Sequence, residues 1–171
     1  MNASKLKSSL EIVTNVAVLL VAASILFILA DGFLGKYRAP SLRPGLTRGE
    51  ALPALPGFEY GGAPKTLILA LDTRCRYCAY SLPFYKELIE ARRANPGARL
   101  VAVFPESADE VNRFVRENGL DLKAIPAASF DSLGVAGTPT LILVDGSGTI
   151  QNFWAGQLSP EAEQQVVKSS T

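Results

Sequence analysis

The sequence predicts an α/β domain built on a mixed sheet, carried behind one N-terminal membrane-spanning helix. Three observations lead there. Nineteen consecutive uncharged residues, Ile12 to Ala30, precede the domain. From Lys65 onward, short apolar runs alternate with helical patterns. The last part of the chain reads as two strands joined by a tight turn and followed by a helix, so antiparallel pairing joins the strand–helix alternation. At 171 residues and 48% hydrophobic, the chain suits one ordinary domain plus an appendage.

The run IVTNVAVLLVAASILFILA would span ~28 Å as a helix at ~1.5 Å per residue, close to the hydrocarbon thickness of a bilayer. A buried core helix of that kind, with no polar face, has nowhere to sit in so small a domain. A cleavable signal peptide is the nearer rival. Its only small-x-small candidate, Ala30-Asp31-Gly32, matches Ala-x-Ala poorly, and an uncleaved anchor is expected. Lys5 and Lys7 precede the span, while Lys36, Arg38, Arg43 and Arg48 follow it, so charge counting does not set the orientation. Residues 31–64 carry seven Gly and five Pro, which reads as a stalk that becomes the irregular edge of a domain. The expected division is a tail over 1–11, an anchor over 12–30, the stalk and domain edge over 31–64, and the domain over 65–171.

Within the domain, Leu67 to Leu71 is apolar throughout, fit for a buried strand. A helix is expected from about Cys75 to Ala94, since Cys78, Leu82, Tyr85 and Ile89 share one face, and Asn95-Pro96-Gly97 ends it. Leu100 to Phe104 is a second buried strand. Ser107 and Glu110 form a capping box ahead of a helix with Val111, Phe114 and Val115 inward, closed by Asn118-Gly119. Thr140 to Val144 and Thr149 to Trp154 are strands joined by Asp145-Gly146-Ser147-Gly148. Ser159 caps a last helix that has Pro160 at its first position.

Composition removes whole classes of function. A net charge of +1 gives no basic field for nucleic acid. Two cysteines and no histidine exclude a disulfide-rich scaffold, a four-ligand Cys/His zinc site, and Ser-His or Cys-His catalysis. No metal or cofactor is therefore expected.

Both cysteines fall in Cys75-Arg76-Tyr77-Cys78, between a strand and a helix. Two intervening residues at a helix start bring the sulfurs within bonding reach. Unpaired N–H groups there favour a thiolate on Cys75, with Arg74 and Arg76 adding positive charge. Cys78, one turn in, is the shielded partner. Such a pair attacks a disulfide, forms a mixed disulfide and resolves it. Other uses are open at this point. A structural disulfide closing four residues would be a poor staple. Haem attachment lacks its His, because Ala79 follows Cys78. A copper(I) site lacks a third soft ligand. A one-cysteine peroxidase, or a non-enzymatic interaction or metal-binding module, stays possible. Asp72 is either a capping carboxylate or a proton acceptor for Cys78. Pro139 stands immediately before a strand, where either a cis Thr138–Pro139 bond or a trans turn would serve.

Taken together, these motifs resemble the thioredoxin superfamily. The likeness runs from about Leu67 to the C-terminus. It rests on the strand leading into Cys75-Arg76-Tyr77-Cys78, on Pro83, on Thr138-Pro139-Thr140, on the Asp145–Gly148 turn, and on Gly156-Gln157-Leu158-Ser159. With the anchor, the chain looks like the membrane-anchored, extracytoplasmic TlpA-like group of bacterial thiol–disulfide oxidoreductases. The resemblance implies that Cys75 is the nucleophile, Cys78 the resolving thiol and Pro139 a cis-proline facing them, while Thr138 supplies backbone contacts to substrate. It implies protein thiol and disulfide substrates, a membrane protein as electron donor or acceptor, and a domain on the outer side of the cytoplasmic membrane. The stretch Leu120–Phe130 leaves room for an added strand. Departures are plain: Arg74 stands where many relatives have Trp, Arg76-Tyr77 where Gly-Pro or Glu-Pro is common, Ser81 where some have Glu, and Leu69 where thioredoxins often bury an acid. Arg74, Arg76, Tyr77 and Asp72 are accordingly the residues expected to tune the pair.

Overall fold

A computed structural model of the chain describes residues 45–94 and 97–170, together with the single positions Val16, Leu19 and Ser24. The expected tail, 1–11, lies outside the described residues, as does the expected span, 12–30, apart from those three positions, which are helical. Among the described residues no helix is long and apolar enough to cross a membrane. Contacts divide the chain into two units, Met1–Leu42 and Arg43–Thr171, and both cysteines belong to the second.

Five strands form one sheet: β1 (Lys65–Ala70), β2 (Arg99–Val103), β3 (Lys123–Ile125), β4 (Thr140–Asp145) and β5 (Ile150–Ala155), in the order β3-β2-β1-β4-β5. β1 pairs parallel with β2, and β2 with β3. β4 runs antiparallel to both β1 and β5. The mixed sheet read from the sequence is thus present, and β3 fills the 120–130 stretch. Side chains alternate across the sheet. Leu67, Leu69, Leu141 and Leu143 face a core that also takes the buried residues of the helices α1 (Arg76–Tyr80), α2 (Leu82–Ala94), α3 (Ala108–Asn118) and α4 (Pro160–Ser170). Ile68, Ala70, Val101, Val103, Ile142 and Val144 face the other core. Leu52, Leu55 and Phe58 close it from one side, and Ala128, Leu133 and Val135 from the other. Residues 45–64 therefore pack on the sheet, with Gly49 and Leu52 bonded to the β4–β5 hairpin.

The single helix expected over Cys75–Ala94 is two helices, broken at Ser81. Pro83 is the reason. It has no N–H for the Ala79 carbonyl, and its ring crowds that carbonyl. Ser81 absorbs the break by sharing its N–H between the carbonyls of Tyr77 and Cys78, at 3.1 and 3.2 Å, and by donating its hydroxyl to Tyr77 at 3.0 Å. Around α3 the sequence signals hold: the Ser107 hydroxyl donates to Glu110 at 2.8 Å, and Gly119 ends the helix in the left-handed region at φ 64°.

The β4–β5 turn is set by Asp145, whose Oδ1 accepts from the N–H groups of Ser147 and Thr149 at 2.9 and 3.0 Å. Gly148 sits at φ 83°, and a Cβ there would lie 2.6 Å from the Tyr60 ring. Gly148→Ala is expected to destabilise the domain by about 2 kcal/mol, combining left-handed strain with overpacking. Urea unfolding reads it, and an unchanged midpoint would mean that Tyr60 moves away freely.

Candidate active site

The sheet explains how distant motifs meet. Ala70, the last residue of β1, pairs with Val103 at the end of β2 and with Thr140 at the start of β4. Three segments therefore leave the sheet at the same end: 71–75 after β1, 104–106 after β2, and 138–139 before β4. The first presents Cys75 as the N-cap of α1. Asp72 folds this loop, its carbonyl accepting from the Cys75 N–H at 3.1 Å and its Oδ1 from the Arg74 N–H at 2.7 Å.

Both thiols are free. Cys75 is half-buried and Cys78 fully buried. The Cys75 Sγ accepts the Cys78 N–H at 3.2 Å and donates to the Thr138 carbonyl at 3.3 Å. The Thr138–Pro139 bond is cis. Burial pushes the Cys75 thiol up, but hydrogen bonds from the Cys78 and Thr138 side chains and from the N–H groups of Cys78 and Tyr77 outweigh it, leaving Cys75 below the ordinary thiol value. Cys78 is pushed up to about 12, first by burial and then by its hydrogen bond to Cys75. One sulfur is thus readied as a thiolate, and its neighbour keeps its proton.

Sequence reasoning placed Arg74, Arg76 and Tyr77 beside the pair, and all three are exposed around Cys75. The Arg76 guanidinium lies 5.3 Å from the centre of the Tyr77 ring, and Tyr77 meets Tyr80 edge to face. Neither arginine is among the groups that hold the Cys75 sulfur. Arg76→Ala is therefore expected to raise the Cys75 midpoint by less than about one unit at low salt, and not at all at high salt. Thiolate absorbance titrated at both salts measures this. A shift that survives high salt would put the guanidinium in direct contact with sulfur.

Two features escaped the sequence. A largely apolar cavity of about 460 Å³ opens beside Thr138, walled by Leu46, Tyr77, Ala136, Phe153 and Gly156. Its walls come from segments far apart in sequence, and only the sheet order brings them together. The second is Glu106, a buried carboxylate in the segment after β2. An acid directly after a buried strand that neighbours the cysteine-bearing one was the available signal. Among the described residues no cluster of Cys, Asp and Glu could hold a metal ion.

No protein-family model matches the sequence, and no curated protein matches it significantly. Solved structures do. The thioredoxin domain of a thiol-disulfide oxidoreductase from Bacteroides vulgatus superposes with a TM-score of 0.57 at 20% identity, covering 74% of this chain and 100% of that one. A thiol:disulfide interchange protein from a Bacteroides species gives 0.57 at 19%, covering 73% and 91%. StoA from Bacillus subtilis gives 0.54 at 19%, covering 64% and 84%. The chain therefore has a thioredoxin-like fold, with its only two cysteines paired at one end of the sheet.

Proposed function

We propose that the protein is a membrane-anchored thiol–disulfide oxidoreductase that exchanges its Cys75–Cys78 dithiol with protein disulfides outside the cytoplasm. The observation that carries this reading is the asymmetry of the pair: Cys75 is reachable and held below the ordinary thiol value, whereas Cys78 is buried and keeps its proton up to about 12. The Cys75 thiolate attacks one sulfur of a substrate disulfide, the S–S bond breaks, and the other substrate sulfur leaves as a thiolate that takes up a proton. Cys78 then loses its proton and attacks the Cys75 sulfur, expelling the second substrate thiolate. Two electrons have passed to the substrate and Cys75–Cys78 is a disulfide. The same steps run backwards oxidise a substrate dithiol.

Thr138 meets the reacting sulfur through its carbonyl ahead of the cis bond to Pro139, these two residues receive the substrate backbone, and the apolar cavity beside Thr138 takes a side chain of the substrate segment. Asp72 shapes the loop before Cys75, and Arg74, Arg76 and Tyr77 form the rim that the substrate meets. No second cysteine pair exists in the chain, so its electrons come from or go to another protein, for which a membrane-borne partner fits a tethered domain. Residues 12–30 serve as the anchor and 31–64 as the stalk and domain edge, with the domain on the outer side, where protein disulfides persist. The test is direct. Reduced protein should transfer electrons to a model protein disulfide, and failure to do so ends the enzymatic reading. For topology, a reporter active only outside the cytoplasm, fused after Thr171, should be active in cells. Activity of a cytoplasm-only reporter at the same position would place the domain inside.

A further inference from the structure

Glu106 is 6% exposed, and a carboxylate this deeply buried is costly unless it is hydrogen-bonded. Its Oε1 accepts twice from one residue, from the Thr73 N–H at 2.9 Å and from the Thr73 hydroxyl at 3.0 Å. Its Oε2 is buried with no hydrogen-bond partner among the described residues. Among the described residues Thr73 is thus the only hydrogen-bond partner of this side chain, and Thr73 stands two residues before Cys75. The backbone of Glu106 is fixed in its turn: its carbonyl accepts from the Ala127 N–H at 2.8 Å, and Ala127 holds a left-handed φ of 54°. The loop after β2 and the segment after β3 therefore grip the loop that delivers the cysteines.

We propose that Glu106 is a positioning residue: by holding Thr73, its carboxylate fixes the 71–75 loop so that the Cys75 sulfur meets the Cys78 N–H. This rests on the thiol-exchange reading for its purpose but not for its measurement, which needs only the reduced protein. Electrostatics and positioning have opposite signs here. A negative charge near the pair disfavours a thiolate, so a purely electrostatic Glu106 would hold the Cys75 midpoint up, and removing it would lower that midpoint. A positioning Glu106 keeps the Cys78 N–H on the Cys75 sulfur, a bond that favours the thiolate, and removing it would raise the midpoint. The charged groups nearest in the chain, Asp72, Arg74 and Arg76, as well as Cys78, are the same in every variant.

The experiment titrates Cys75 by its alkylation rate against pH in Glu106→Ala and Glu106→Gln. Gln keeps an oxygen that accepts from Thr73 and loses the charge. Glu106→Ala is expected to raise the Cys75 midpoint by about one unit and to slow alkylation at neutral pH by up to about tenfold. Glu106→Gln should stay at or below the wild-type midpoint. A Glu106→Ala midpoint equal to or below wild type overturns the proposal. Should that variant fail to fold, Glu106→Asp, one methylene too short to reach Thr73, carries the same expectation and the same overturning result. Loss of exchange with an unmoved Cys75 titration would count against Glu106 as a positioning residue while leaving the exchange reading intact.

Discussion

Cys75→Ser is expected to reduce disulfide exchange to the uncatalysed background, whereas Cys78→Ser should accumulate a mixed disulfide between Cys75 and substrate. The asymmetry follows from the two environments. Cys75 lies below the ordinary thiol value, and Cys78 is pushed up to about 12. At neutral pH Cys75 therefore carries by far the larger share of thiolate. The greater basicity of Cys78 gives back only part of that advantage through nucleophilicity, because nucleophilicity changes less than proportionally with pKa, so Cys75 should still react faster. The pH dependence has a definite sign. Alkylation of Cys75 rises with pH and levels off above a midpoint lower than that of an ordinary thiol, while Cys78 stays unreactive until the pH approaches about 12. Mass spectrometry of briefly alkylated protein reads both sulfurs at once. Equal labelling at neutral pH, or trapping by Cys75→Ser instead, would reverse the assignment.

The largest expected loss of stability comes from Phe104→Ala. Phe104 is fully buried, with its ring 5.7 Å from that of Phe114 at an edge-to-face angle of 64°. Its backbone joins two segments, since its N–H donates to Ile125 at 2.9 Å and its carbonyl accepts from Ala128 at 2.8 Å. Emptying this site should cost about 3–5 kcal/mol. That is a large part of the ~5–15 kcal/mol that holds a typical domain folded. A lower urea midpoint at unchanged slope is the expected readout. A loss below about 1 kcal/mol would mean that the surrounding core collapses onto the gap. Because Phe104 lies two residues before Glu106, the variant should also loosen the active-site loop.

Elements whose signal is local were legible in the sequence. The strand at Leu67, the capping box at Ser107 and Glu110, the Asp145–Gly148 turn and the Pro160 helix start each rest on residues within a few positions of one another, and each appears where its residues put it. The break at Ser81 was also local, but helical periodicity carried straight across Pro83 and hid it. The sheet order was a different matter. Nothing near Glu106 announces that it bonds Thr73, 33 residues away, because that contact follows from β2 lying beside β1. The same holds for Leu52, Leu55 and Phe58. In a Gly- and Pro-rich segment they read as edge, yet they close one of the two cores.

The bond between Cys75 and Thr138 spans 63 residues of chain. Its consequence lies in the order of synthesis. The cysteines are made first, and the strand that completes their surroundings follows after roughly 3–12 s at ~5–20 residues per second. During that interval the pair lacks its contact with Thr138 and lies in an unfinished sheet, open to whatever oxidant or reductant the nascent chain meets. The surroundings of the Cys75 sulfur are therefore completed late in synthesis, and a chain stalled before residue 138 carries the motif without the carbonyl that meets its sulfur.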